Sequence, residues 1–259
     1  MARFKRYIGI DYSGAATPTS GLKGLRVYLA TEKNGAVEVL PPAGGSKYWS
    51  RQGIALWLTD RLNEDVKTVV GIDHGFSFPL RYFEEHQLAL DWPAFLDDFE
   101  RHWPTAEDDT YVDHVRHAMV GNGAARSGNP RWRRACELKC RAKSVFHFDV
   151  QGSVAKSTHA GLPWIRYLRQ HQGSRLHCWP FDGWTTPNEG SVVLEAYPAV
   201  YKKDYPVGDL TPDQHDAFSV AQWLKDADRD GRLAAALQPQ LSIEEQRLAV
   251  VEGWILGVS

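Results

Sequence analysis

The sequence predicts an α/β fold in which helices flank a mixed five-stranded sheet, with a mostly helical insertion at about residues 80–172 between the fourth and fifth strands. Short apolar runs of strand length occur near both ends of the chain, and segments with helical spacing and capping signals lie between and after them. A chain of 259 residues is long enough to bury a sizeable core. Because the sequence contains no internal repeat or obvious linker, residues 1–259 are predicted to form a single domain.

Three strands are predicted in the N-terminal part of the chain. The first covers about Phe4 to Asp11, and the second, near Leu25 to Ala30, follows a stretch rich in turn residues. The third runs near Val37 to Leu40 and is preceded by Asn34-Gly35, which is a strong hairpin signal. These strands are therefore expected to be antiparallel neighbours.

A helix and a buried strand follow the hairpin region. The helix is indicated by apolar residues at helical spacing, namely Ile54, Trp57, Leu58 and Leu62. The fourth strand, about Val66 to Asp73, is almost continuously apolar, as is typical of a parallel strand covered on both faces. A strand, a helix and a second parallel strand in this order predict a right-handed crossover.

After the mostly helical segment at about residues 80–172, one further strand and two capped helices are predicted. That fifth strand covers about Val192 to Ala196. The Thr-Pro-Asp-Gln segment at residues 211–214 supplies an N-cap, a proline in the first turn and a capping-box partner for a helix. Ser242 and Glu245 form a second such box before the last helix.

The net charge, the number of cysteines and the length of the apolar runs exclude several classes of protein. The formal net charge of −2 provides no overall attraction to nucleic acid, so any such contact needs a local basic patch. Three cysteines are an odd number in a long chain, which argues against a disulfide framework. No apolar run approaches the roughly 20 residues that cross a bilayer. We therefore expect a cytoplasmic protein that does not associate with membranes.

Four acidic residues stand out as catalytic candidates. Asp11, Asp73 and Glu195 lie at or near the ends of predicted strands, and Asp216 lies at the edge of the apolar face of the helix that Thr211 caps. Acids at the same end of neighbouring parallel strands converge, and a hard divalent cation such as Mg²⁺ or Mn²⁺ relieves their repulsion. Acids are also common where strands end in solvent, so the pattern alone leaves a solvated sheet edge as the alternative.

A basic segment is the candidate contact for a phosphodiester substrate. Within eighteen positions it carries one glutamate and seven basic residues, namely Arg126, Arg131, Arg133, Arg134, Lys139, Arg141 and Lys143. Trp132 lies among them and is suited to stacking on a base while Arg131, Arg133 and Arg134 contact phosphates. The alternative is a solvated helix face with one packed tryptophan.

Five short motifs resemble, in order and spacing, the "domain of unknown function 429" family. They are Tyr7-Ile-Gly-Ile-Asp11, Val70-Gly-Ile-Asp73, Leu194-Glu-Ala-Tyr-Pro198, Asp216-Ala-Phe-Ser-Val-Ala221 and Glu252-Gly-Trp-Ile-Leu-Gly257. The resemblance touches both ends of the chain. It implies a ribonuclease H-like fold and the activity of a predicted nuclease, and thus a nucleic acid or other phosphodiester as substrate.

The resemblance also assigns roles to the acids. It implies that Asp11, Asp73 and Asp216 bind Mg²⁺ or Mn²⁺, with Glu195 in or beside the site. More remotely, the Asp-Gln-His-Asp segment that ends at Asp216 is similar to the paired-aspartate helix of RuvC-type resolvases. Its first acid, Asp213, is a secondary candidate, because an acid in a first helical turn also favours the helix dipole.

Two further residues enter through the same resemblance. Lys156 lies in the segment Gln151-Gly-Ser-Val-Ala-Lys-Ser-Thr-His159, which resembles a family feature and suggests substrate contact. Glu252 opens the C-terminal motif and is a secondary site candidate.

The functional hypothesis from the sequence is therefore hydrolysis of a phosphodiester with two metal ions, in which Asp11 bridges the ions. Two alternatives use the same residues. One is an ATP-dependent phosphotransferase of the actin and sugar-kinase superfamily, in which Ser13-Gly14 forms a phosphate-binding turn. The other is a non-catalytic binding module with a degenerate site.

Overall fold

The computed structural model describes residues 2–259, and its centre is a mixed sheet of six strands. The strands are β1 (Arg6–Asp11), β2 (Arg26–Thr31), β3 (Val37–Glu38), β4 (Thr68–Asp73), β5 (Leu176–Cys178) and β6 (Ser191–Glu195). They lie in the order β3-β2-β1-β4-β6-β5. Strand β2 is antiparallel to its neighbours β1 and β3, whereas β1, β4, β6 and β5 are parallel.

The predicted α/β class with a mixed sheet is confirmed, but the predicted number of five strands is wrong. The additional strand, β5, is three residues long and pairs only with β6, at the edge of the sheet. Its sequence, Leu-His-Cys, is too short to show the alternation that identifies a strand, and its residues are buried by the surrounding chain. The third strand is also shorter than predicted and leaves Val37 largely exposed at the opposite edge.

Nine α-helices surround the sheet within residues 2–259. They are α1 (Arg51–Asn63), α2 (Leu80–Glu85), α3 (Trp92–His102), α4 (Val112–Arg116), α5 (Ala135–Cys140), α6 (Ala155–Gln172), α7 (Pro212–Asp230), α8 (Arg232–Ala236) and α9 (Ile243–Glu252). The capping boxes predicted for the helices now named α7 and α9 are both present. Helices α2 to α6 lie in the segment predicted to be mostly helical, where irregular stretches separate them. No helix in the described range combines the length and apolar composition that crossing a bilayer requires.

Alternate residues of the central strands face two different cores. Ile8, Ile10 and Ile72 pack with residues of α1, α3 and α6 on one face. Tyr7 and Val69 belong to the core on the other face, which includes residues of α7 and the C-terminal segment. Because both faces of the central strands are covered, a shift of one residue would exchange the side chains that pack in the two cores.

Helix α7 lies unusually close to β1. A Cβ atom added at Gly9 would overlap the carbonyl oxygen of Ala217 and lie 2.5 Å from the amide nitrogen of Ala221. These are backbone atoms of a helix and cannot move aside independently. The glycine therefore sets the distance between the sheet and α7, and with it the position of the first turn of that helix.

We predict that Gly9→Ala lowers the free energy of unfolding by about 1–3 kcal/mol, because it forces α7 away from a packed core. Urea denaturation measures this change. The control is Gly45→Ala, because Gly45 is exposed and an added Cβ there comes only within 3.6 Å of the Pro42 carbonyl oxygen. Equal stability of the two variants would contradict the packing role of Gly9.

Candidate functional site

Two carboxylates lie side by side at the carboxyl ends of the central parallel strands. Asp11 and Asp73 are direct partners in the register of β1 and β4, where neighbouring strands are roughly 4.8 Å apart. Each acid follows, by two positions, a glycine that packs against α7, namely Gly9 and Gly71. Since alternate residues of a strand share a face, both acids lie on the α7 side of the sheet.

A cavity of about 370 Å³ lies at this end of the sheet. Its wall includes Asp11 and Asp73 from the strands, Asp213 and Asp216 from the first turns of α7, and Lys202 from the segment after β6. Four of the predicted site residues therefore meet at one cavity, although they are far apart in sequence. This is the edge at which open α/β sheets bind ligands.

The charged state of the strand acids is unfavourable. Burial, followed by repulsion from Asp73, raises the pKa of Asp11 well above its ordinary value. Burial, followed by repulsion from Asp216, raises the pKa of Asp73 to about 8. In the described chain, neither carboxylate receives a hydrogen bond or an ion pair from a protein group. The pair therefore lacks a compensating cation of its own.

Asp216, in contrast, has a cationic partner. The ammonium group of Lys202 lies 2.9 Å from Oδ1 and 3.3 Å from Oδ2 of Asp216. The same lysine lowers the pKa of Asp11 and that of Asp73, although burial and repulsion outweigh this effect. Lys202 therefore compensates part of the negative charge of the cavity.

Asp213 also lies on the wall of the cavity, and its pKa is raised by partial burial. It occupies the first turn of α7, as expected for an acid that interacts with the helix dipole.

Glu195 is close to Asp73, but its carboxylate already accepts hydrogen bonds from other residues. Arg134 donates two hydrogen bonds of 2.6 Å to the two carboxylate oxygens of Glu195, and the amide of Phe76 donates a third at 3.2 Å. Arg134 is 1% exposed and Glu195 is 4% exposed. Arg134 is therefore an interior partner of Glu195 and does not present its guanidinium group at the surface, which corrects its expected role as a surface contact for substrate, while the place of Glu195 in or beside the site stays a prediction.

Glu137 and Glu252 are two further buried acids near Arg134. Arg134 Nε donates to Glu137 at 3.0 Å, so the guanidinium group bridges two buried carboxylates. Glu252 accepts hydrogen bonds from the amides of Leu80 and Ala135, at the starts of α2 and α5. It therefore joins three helices and is not among the residues that line the acidic cavity.

The other predicted substrate contacts are dispersed. Arg131 is exposed, whereas Arg133 donates to the carbonyl oxygen of Ala142 and Lys156 pairs with Asp113 at 2.6 Å. None of these three basic residues lines the cavity within the described structure. Only residues 135–140 of the basic segment form a helix, and the ring of Trp132 packs edge-on against another aromatic ring. A continuous basic helix face is therefore not present.

The loop after β1 contains site features that sequence patterns did not indicate. Arg51, which is fully buried, donates to the carbonyl oxygens of Ser13, Ala15 and Ala16 at 3.2, 2.6 and 3.0 Å. An arginine at the start of a helix carries no sequence signal for such a role, because its partners lie more than thirty positions earlier.

The same loop packs directly on α6. A Cβ atom at Gly14 would overlap the carbonyl group of Lys156 and lie 2.6 Å from the amide nitrogen of Ser157. The glycine that suggested a phosphate-binding turn is thus required for this close approach. Ser13, Ser153 and Ser157 bring hydroxyl groups to the wall of the cavity.

Comparisons with protein-family models, with curated proteins and with solved structures find no match for this chain.

We predict that Asp73→Asn stabilises the metal-free protein by an amount that grows with pH. Because the pKa of Asp73 is higher in the folded protein than its ordinary value of 3.8, ionisation lowers the free energy of unfolding as the pH rises from about 4 to about 8. Asparagine does not ionise, so the variant should exceed wild type by about 1–3 kcal/mol at pH 9 and by little at pH 4. Urea denaturation in a chelating buffer measures this, with the exposed Asp209→Asn as control. A difference that does not change with pH would contradict the prediction.

Arg134→Met should cost about 3–5 kcal/mol of stability, because it leaves Glu195 and Glu137 buried without a cation. Replacing the exposed Arg131 by Met is the matched control. Adding Glu195→Gln to Arg134→Met should recover part of the loss in chemical denaturation. No recovery in the double variant would show that the arginine acts through contacts other than this ion pair.

Proposed function

We propose that this protein is a metal-dependent hydrolase that cleaves phosphodiester bonds, with nucleic acid as the substrate class. The observation that carries the proposal is the pair Asp11 and Asp73, two in-register carboxylates without a cationic partner on the wall of a cavity. The ribonuclease H-like fold belongs to the same proposal, since the mixed sheet is compatible with it and the motif resemblance implies it.

The chemistry of this donor set fits Mg²⁺ or Mn²⁺. Both are hard cations that prefer carboxylate oxygens, and Mg²⁺ is commonly held by one or two carboxylates together with water and substrate phosphate. In residues 2–259, no group of three or more His, Cys, Asp or Glu side chains is arranged to hold a metal by itself. Asp11 and Asp73 would therefore hold the ion, and Asp216 is the third candidate ligand because it lines the same cavity.

A bound divalent ion supplies Lewis acidity toward a phosphoryl oxygen and lowers the pKa of water. The chain's own groups would bind and orient the substrate. Lys202 presents a partly exposed ammonium group to an anionic substrate. The first turn of α6, with Ser157 and the preceding Ser153, directs the positive end of the helix dipole to the cavity wall, which favours a phosphate group there.

The test is cleavage of single-stranded, duplex and branched oligonucleotides and of bis(4-nitrophenyl) phosphate, with Mg²⁺ or Mn²⁺ and with a chelator. We expect metal-dependent hydrolysis that Asp11→Asn and Asp73→Asn each reduce at least about 100-fold, because each variant removes a ligand charge. Asp209→Asn, at an exposed position, should retain the wild-type rate.

Two outcomes would overturn the proposal. One is the absence of metal-dependent cleavage across the whole panel by folded wild type. The other is equal activity of wild type and the two site variants. A rise in melting temperature with Mg-ATP, without any effect of Mn²⁺ alone, would favour a phosphotransferase instead.

A further inference from the structure

We infer that Lys202 is an internal counter-ion that competes with divalent metal for Asp216, and that it thereby sets how many ions the acidic cavity binds. The inference rests on the proposed function, because it concerns the same cavity.

The first argument is the position of Lys202. It follows Tyr201, whose ring is 1% exposed and packs 4.4 Å from the ring of Trp223, while its hydroxyl donates to the carbonyl oxygen of Leu256. The backbone at position 202 is therefore anchored to the core. The lysine side chain beyond it remains 40% exposed, so its ammonium group is free to leave the cavity without any change in the fold.

The second argument is charge. Lys202 is the one basic residue on the described wall of the cavity, opposite four aspartates: Asp11, Asp73, Asp213 and Asp216. It contacts only Asp216 directly, at 2.9 and 3.3 Å. One ammonium group pairs with one of the four carboxyl groups and leaves Asp11 and Asp73 without a cationic contact.

The third argument is the strength of the competitor. A partly exposed ion pair between lysine and aspartate contributes little to stability, so a divalent ion with several carboxylate contacts displaces it readily. The strand pair has no such competitor and is available to a first ion at once. Asp216 becomes available to an ion only after the ammonium group of Lys202 has left it. Lys202 therefore favours one bound ion at low metal concentration and opposes a second.

The experiment is titration of the purified chain with Mn²⁺ by isothermal calorimetry, with the number of bound ions checked by electron paramagnetic resonance. Lys202→Met keeps the length of the side chain and removes its charge, whereas Lys203→Met changes an exposed neighbour and is the control. We expect Lys202→Met to bind the first ion about 3- to 10-fold more tightly, because it removes a positive charge beside the strand pair, and to bind a second ion at concentrations where wild type binds one. Lys203→Met and Lys202→Arg should behave as wild type.

A second readout is thermal stability. Without metal, Lys202→Met should melt below wild type because the aspartates lose their counter-ion, and with saturating Mn²⁺ the order should reverse. Lys202→Gln provides the same test if the methionine variant does not fold.

The possible failures are distinguishable. If folded wild type binds no Mn²⁺, the proposed function fails. If wild type binds Mn²⁺ but Lys202→Met and Lys202→Gln bind it with equal or lower affinity and the same stoichiometry, the competitor role of Lys202 is wrong while the metal site stands.

Discussion

The parallel pairing of β1 with β4 places two acidic side chains next to each other, and the surrounding structure has to offset the unfavourable free energy of this arrangement. It brings the carboxyl groups of Asp11 and Asp73 to adjacent positions, where burial and mutual repulsion oppose their ionisation. The pairing is maintained by apolar residues on both faces of the sheet, such as Ile10 and Ile72 on one side and Val69 on the other. The hydrophobic cores thus supply the free energy that holds the two carboxyl groups together against their mutual repulsion on ionisation, and their adjacency follows from the register.

The remaining acids near the sheet edge are compensated in two different ways. Glu195 is paired in the interior with Arg134, whose planar guanidinium group satisfies both carboxylate oxygens and also contacts Glu137. Such a buried pair is hard to open, because separation leaves uncompensated charges in a medium of low dielectric constant. Asp216 is paired with a flexible, partly exposed lysine, whose separation costs little. The first pair suits a fixed scaffold and the second an exchangeable contact.

Features of the fold that depend on local sequence patterns could be predicted from the sequence. The apolar runs that end at Asp11 and Asp73, and the capping boxes that begin α7 and α9, predicted the corresponding elements within a few residues. Strand geometry predicted that Asp11 and Asp73 lie close together, whereas the motif resemblance added Asp216, which lines the same cavity.

Features that depend on contacts between distant residues were not predictable in this way. Strand β5 exists because β6 offers it a partner, and its three residues carry no pattern of their own. The contact of Arg134 with Glu195 spans 61 positions, and no local signal separates an interior arginine from the exposed Arg131 three residues earlier. Arg51 has no carboxylate partner, and its terminal guanidinium nitrogens donate instead to carbonyl oxygens of a loop, a role that only the folded chain defines.

Asp11 and Asp73 lie on strands, and this restricts where insertions and deletions can occur during evolution. Successive side chains of a strand alternate between faces, so the loss or gain of one residue within β1 or β4 would turn Asp11 or Asp73 toward the opposite core. The hairpin between β2 and β3, in contrast, lies beside Arg6, at the end of β1 opposite Asp11, so its length can vary with little effect on the carboxylate pair. Homologous chains that retain the same chemistry should therefore differ in length in their loops and not within these two strands.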